Sequence, residues 1–275
     1  MTADEFGEIR KKTKRKGGKM KRLAWMTAMM VAAVVSAGDV LWRFSPETVD
    51  LGPGTTCTKT NDGWVLSQPK HRIQCFSKET FEIKPNVKYF VRIKVRGLAP
   101  KARIWVVSKE FDAKGREVTP TSVDCVDNTV TILGTYIHPG TKEIKIEGAA
   151  KWPQVKRGTV LVFNAQADGS DLPNHDYYTI RSIAEDGTVT LDRPLRRGYR
   201  AETFVRRHFR NGPYHSLIGS VLNTDFEALR RDVSGVSEKG INFSHWLRGT
   251  VKVRIGIEAE NDIEVADCFF SEIAE

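Results

Sequence analysis

Val87-Lys88-Tyr89-Phe90-Val91-Arg92-Ile93-Lys94-Val95-Arg96 reads as a half-buried β-strand. Apolar and basic residues alternate along it with period two, and successive side chains of an extended strand point to opposite faces. Tyr89, Val91, Ile93 and Val95 are therefore expected on a buried face, with the lysines and arginines in water. Gly97-Leu98-Ala99-Pro100 closes the run with turn chemistry.

The same chemistry recurs on both sides. Residues 103–111 read as the next strand, and Asp112-Ala113-Lys114-Gly115 turns the chain. Residues 128–133 and 142–147 supply two more, with Ile144 and Ile146 again alternating with charge. Thr250-Val251-Lys252-Val253-Arg254-Ile255-Gly256-Ile257 repeats the pattern of the Tyr89 strand, and residues 263–273 close a sheet. Residues 225–231 are the best helical candidate, and they are short. Many short strands between turn signals argue for an all-β sandwich or barrel. Trp64, Phe90 and Phe111 are assigned to its core.

Residues 151–209 carry a pattern of their own. Gly158-Thr159-Val160-Leu161-Val162-Phe163, residues 178–183 and Thr188-Val189-Thr190-Leu191 read as strands, the last two joined by an Asp186-Gly187 hairpin signal. They are expected to form a small, barrel-like β insert between two parts of a sandwich, residues 57–150 and 210–275. Residues 38–56, with their Pro, Gly and acidic positions, read as a linker or a first irregular edge.

The formal charge of +9 invites a polyanion reading until it is located. Nine of the 43 basic and three of the 34 acidic residues lie in residues 1–37, leaving 34 against 31, a net of +3. A nearly balanced remainder gives no electrostatic case for nucleic acid as a partner. The basic run Arg10-Lys11-Lys12-Thr13-Lys14-Arg15-Lys16 instead precedes an uncharged, mostly apolar stretch over residues 23–37 that ends in Val35-Ser36-Ala37. A basic segment, a short apolar segment and small residues at the cleavage positions make a secretory signal peptide. Met20-Lys21-Arg22 followed by the apolar run is by itself a compact signal of this form. Left uncleaved, the same stretch is a single membrane anchor with its basic side cytoplasmic. Membrane contact is expected through this segment only, and the rest is expected to be secreted, periplasmic or on the cell envelope.

Cys57, Cys75, Cys125 and Cys268 all follow the expected cleavage site. An even number in an exported chain points to two disulfides, with free buried thiols as the alternative. Asn61-Asp62-Gly63 reads as a turn that brings Cys57 toward Cys75. The wide, irregular spacing gives no zinc site.

Several segments resemble jelly-roll carbohydrate-binding modules of the galactose-binding-like type. They are Tyr89-Phe90-Val91-Arg92 through Val95-Arg96-Gly97, Ala102-Arg103-Ile104 leading to Phe111-Asp112-Ala113-Lys114-Gly115, and Gly140-Thr141-Lys142-Glu143-Ile144. Gly249-Thr250-Val251-Lys252-Val253-Arg254-Ile255 and Ala266-Asp267-Cys268-Phe269-Phe270 complete the set. The resemblance covers about residues 60–150 and 215–275 and implies a jelly-roll β-sandwich with a polysaccharide ligand. It leaves the insert, with its Asp171-Leu172-Pro173-Asn174 turn, outside the module. Asp267 is a candidate ligand for a structural calcium of the kind such modules carry, and no other cofactor is expected.

Sugar recognition needs aromatic faces with polar groups beside them. Trp105, Tyr136, Trp152, Tyr177, Tyr178, Tyr214 and Trp246 are the aromatic candidates, set against the alternative that each is a core residue. Tyr177 and Tyr178 are favoured for exposure because they follow the polar loop Asn174-His175-Asp176, so His175 and Asp176 join them as candidate ligand residues. The segment Arg193, Arg196, Arg197, Arg200, Arg206, Arg207, His208, Arg210 holds seven arginines, and guanidinium forks suit sulfate, phosphate and carboxylate. Arg196, Arg197 and Arg200 are thus candidates for an acidic or sulfated polysaccharide, and a charged, solvated edge strand is the alternative. His175 with Asp176 and Tyr177, or Tyr214 with His215, could supply acid and base to a lyase, but neighbours on a strand face opposite ways. No Gly-x-Ser-x-Gly, His-Glu-x-x-His or P-loop occurs. The sequence thus favours a non-catalytic glycan binder over an envelope interaction domain, and both over an enzyme.

Overall fold

The computed structural model describes residues 37–70 and 72–274. The export signal expected over residues 1–37 lies, but for Ala37, outside them. No described helix is long and apolar enough to cross a membrane.

The chain is all-β, a sandwich of two antiparallel sheets with a third sheet inserted. The first sheet runs in the order Glu227–Ser234, Lys88–Gly97, Ile263–Ile273, Trp64–Ser67 and Thr56–Lys59, with Ala37–Arg43 also paired to Ile263–Ile273. The second runs His215–Val221, Arg103–Phe111, Lys252–Glu260, Ile73–Ser77 and Val49–Leu51, with two short strands at its margins.

The alternation read from the sequence sets the faces. Tyr89, Val91, Ile93 and Val95 are at most 1% exposed, and they meet Ile104, Val106, Ile255 and Ile257 of the second sheet in one core. At its centre Tyr89 stacks on Phe270 at 5.4 Å, and Trp246 packs edge-on against both rings. The Tyr89 hydroxyl accepts the Lys84 backbone N–H at 2.9 Å, so its one polar atom is not stranded in the apolar interior.

Four expectations are corrected here. Residues 38–56 are not a linker: Trp42, Phe44 and Val49 are core residues, because the strand Ala37–Arg43 completes the first sheet and Val49–Leu51 edges the second. Residues 225–231 are not helical but enter the edge strand Glu227–Ser234, which pairs along its whole length with Lys88–Gly97. Phe90 is buried, yet on the outer face of its sheet, against Phe269 and under Arg230. Trp64 packs against the core half-buried, and Phe111 is also only half-buried.

The insert starts earlier in the chain than the pattern of residues 151–209 implied. Its sheet runs Thr131–Ile132, Phe204–Phe209, Thr159–Phe163, Tyr177–Ile183, Thr188–Leu191 and Glu143–Lys145. The two short strands near residues 131 and 144, expected in the sandwich, therefore pair only with insert strands. Ile144 and Ile146 fill a separate core with Leu161, Phe163, Tyr178 and Tyr199. The Asp186-Gly187 hairpin is formed, with Gly187 at φ +86, a left-handed turn conformation that glycine adopts without steric cost.

The cysteines stand as four free thiols. Cys57 lies on the first sheet and Cys75 on the second, so the turn at Asn61-Asp62-Gly63 joins Thr56–Lys59 to Trp64–Ser67 rather than joining the two cysteines. Cys75 and Cys268 are core residues, and burial pushes the Cys75 thiol up to about 12.

Candidate functional site

Strand parity places Ile104 and Val106 in the sandwich core and turns Trp105 and Val107 to the outer face of the second sheet. Pairing registers then build two rows across four strands. Gly219, Trp105, Glu258 and Gln74 lie side by side in the first. Ser216, Val107, Gly256 and Phe76 lie side by side in the second.

The glycines shape this face. A Cβ on Gly256 would stand 2.5 Å from the Phe76 ring, so the bare backbone is what lets that ring lie across its neighbour. Phe76 meets the Tyr214 ring at 4.7 Å, and beneath them Val107 is only 2% exposed although it faces outward. A Cβ on Gly219 would stand 3.2 Å from the Trp105 indole, so this glycine too lets a ring lie close to the neighbouring strand.

Polar groups frame the rings. Gln74 Nε2 donates to Glu258 Oε1 at 2.8 Å. Burial, then the Glu258 charge, raises the Tyr214 phenol above its usual range, so it remains protonated and able to donate. Arg72 lies 4.5 Å from the Trp105 ring centre and reaches Glu260 at 2.8 Å. Arg72 and Glu260 also line a cleft of about 520 Å³ that continues past the end of the platform. Aromatic surface, a carboxylate, an amide and a guanidinium thus converge on one outer, partly exposed face.

Of the residues named as ligand candidates, Trp105 and Tyr214 are here. His175, Asp176 and Arg197 come together instead in a second cleft, of about 430 Å³, with Arg116, Asn164 and Asn174. Its charges are largely answered internally. Asp176 accepts from Arg197 at 2.5 Å, from the Tyr199 hydroxyl at 2.7 Å and from Asn164 Nδ2 at 3.0 Å. Burial, reinforced by the Arg116 charge, lowers the His175 pKa, which leaves the imidazole neutral 3.9 Å from Asp112.

Tyr177 is half-buried, whereas Tyr178 is 5% exposed and belongs to the insert core. Their expected joint exposure fails because adjacent strand residues face opposite ways. The Tyr178 hydroxyl accepts the Arg196 backbone N–H at 3.0 Å. Arg196 and Arg200 are exposed outside both clefts.

The arginine segment is not one solvated edge. Arg206 is 3% exposed and bonded to Asp171 at 2.9 Å, Gln166 O at 3.0 Å and His208 Nε2 at 2.9 Å. His208 Nδ1 meets Thr121 O at 2.8 Å, so His208 carries its proton there and accepts from Arg206. Arg207 is buried on the opposite side of the strand. Trp152 and Trp246 are buried, leaving Tyr136, 50% exposed and edge-on to His138, as the most open of the aromatic candidates.

Tyr214 and His215 also diverge. His215 faces inward, where Glu110 Oε1 holds its Nδ1 at 2.8 Å, while Tyr214 lies on the outer platform. Asp267, considered for calcium, pairs with Arg43 at 2.8 Å. Among the described residues no group of three or more His, Cys, Asp or Glu is placed to hold a metal ion.

Sequence reading missed Gln74, Phe76 and Glu258. The alternation of Ile73-Gln74-Cys75-Phe76 was a usable signal, since it marks a strand with Gln74 and Phe76 on one face.

No family model and no curated protein matches this chain. Among solved structures it is similar to a lectin from Bauhinia forficata in complex with GalNAc, at 9% identity over 84% of this chain and 97% of that one, with a TM-score of 0.30. At that level of agreement in shape the likeness assigns neither ligand nor site.

Proposed function

We propose that this is an exported, non-catalytic glycan-binding protein whose sugar platform is the outer face of the second sheet around Trp105. One observation carries the reading. Trp105 shares a register row with Glu258 and Gln74 and stands beside the Phe76–Tyr214 pair, so stacking surface and hydroxyl-orienting groups occupy the same outer, partly exposed face. Pyranose rings present C–H surfaces to such aromatics, and the carboxylate and amide supply the acceptor and donor that distinguish hydroxyl positions. Export is supported by the basic and apolar N-terminal pattern.

A binding screen against neutral and acidic polysaccharides at low and high salt tests the proposal. Binding to a neutral glycan that survives high salt is the expected result, because stacking and neutral hydrogen bonds are screened little. Failure to bind any glycan would overturn it and favour an envelope interaction domain, while turnover of a polysaccharide would replace binding by catalysis.

A further inference from the structure

A buried arginine normally faces a carboxylate, because an unanswered charge in the interior is costly. Arg206 obeys this rule through Asp171. Arg207, one residue on, does not. It is 6% exposed, its Nη1 donates to Pro153 O at 2.9 Å, its Nη2 reaches Thr159 Oγ1 at 3.3 Å, and its guanidinium lies 5.7 Å from the Trp152 ring centre. All of these partners are uncharged, and its buried Nε–H has no partner. Burial alone lowers the Arg207 pKa, with no carboxylate acting to raise it.

Arg207 lines a cleft of about 310 Å³ between residues 154–159 and the strand Tyr177–Ile183. Lys156, Arg157 and Arg181 line it too, and no acidic residue does. Arg157 is already engaged by Asp124 at 3.2 Å and by Asn211, but Lys156 and Arg181 are exposed and without an ion-pair partner among the described residues. The register of Tyr177–Ile183 shifts between Ile180 and Ser182, which sets Arg181 at a bulge, a device that re-aims a side chain. Ser182 and Thr159 add hydroxyls to the lining.

We infer that this cleft of the insert binds a tetrahedral oxyanion, a sulfate or phosphate group, with Arg207 at its base and Lys156 and Arg181 at its mouth. The site is separate from the Trp105 platform and stands whether or not that face binds sugar. Free anion and anion esterified to a sugar share the same recognising chemistry.

Thermal unfolding and calorimetric titration with sodium sulfate and sodium phosphate, against sodium chloride at matched ionic strength, test the inference, with glucose 6-sulfate as the esterified probe. A ligand that binds only the folded state raises Tm. Sulfate or phosphate is expected to raise Tm by about 2–4 °C near saturation, and chloride is not. Arg207 is buried and its replacement threatens the fold, so the exposed pair Lys156→Gln and Arg181→Gln serves as the variant. It should keep the anion-free Tm and bind the anion about tenfold more weakly. Tighter binding of glucose 6-sulfate than of inorganic sulfate would assign the cleft to an ester, and the reverse to a free ion. Equal Tm in sulfate, phosphate and chloride, or anion binding unchanged in the double variant, would overturn the inference.

Discussion

Glu110 Oε1 and His215 Nδ1 meet at 2.8 Å with both side chains fully shielded from solvent. The carboxylate also accepts from Ser108 Oγ, the Leu247 backbone N–H and Thr250 Oγ1, so four donors converge on two oxygens. These bonds tie the strand Arg103–Phe111 to the neighbouring strand His215–Val221 and to the loop that carries Trp246 into the core. Glu110→Ala should lower stability by about 3–5 kcal/mol, the cost of breaking a buried, hydrogen-bonded pair. Glu110→Gln, which keeps one acceptor, should cost less. Urea denaturation measures both, and a loss under about 1 kcal/mol for the alanine variant would deny the network a structural role.

His208 supplies a pH dependence. Burial, then the Arg206 charge, pushes its imidazole down to about 4 from an ordinary 6.5. Between these values the unfolded chain holds a proton that the folded chain does not. The stability present above pH 6.5 therefore declines as pH falls toward about 4, by about 3 kcal/mol in total for this group. Comparing denaturation midpoints at pH 7.5, 5.5 and 4.5 with those of His208→Asn isolates the effect: the wild type should lose more on acidification. Equal losses in the two proteins would show that His208 is not the group responsible.

The thiols should be inert in the folded protein. Burial raises Cys57 to about 11 and Cys75 to about 12, and raises Cys125 and Cys268 as well, and the thiolate is the form that reacts. Iodoacetamide followed by mass spectrometry should leave Cys75 and Cys268 unmodified in native buffer and alkylate all four cysteines in denaturant. A non-reduced mass lower by two or four hydrogens would instead reveal the disulfides that the export pattern led one to expect.

The sandwich was legible wherever one sheet face meets water, because alternation then writes burial directly into the sequence, as it does from Tyr89 to Val95 and from Val253 to Ile257. It was illegible where strands are short or lie among turn residues. The strand Ala37–Arg43 follows an apolar run that reads as an export signal, and the two-residue strand at Thr131–Ile132 has too few positions for any period. Trp105 was legible as a candidate by residue type alone. Its partners were not, because Gln74 and Glu258 reach it only through two long-range pairings. The arginine segment misled for a related reason: composition counts charges, but Arg206 and Arg207 are buried on opposite faces of the strand Phe204–Phe209, while Arg196 and Arg200 lie outside any strand and remain in water.

Isothermal titration of the best polysaccharide from the screen into wild-type protein and Trp105→Ala, with Trp246→Ala as a folding control, locates the sugar site. Trp105→Ala should weaken binding at least about tenfold, consistent with the about 1–3 kcal/mol carried by a single aromatic anchor, and leave the folded spectrum intact. Trp246→Ala, which empties the core, should cost about 3–5 kcal/mol of stability. Undiminished binding by folded Trp105→Ala would move the sugar site off the second sheet.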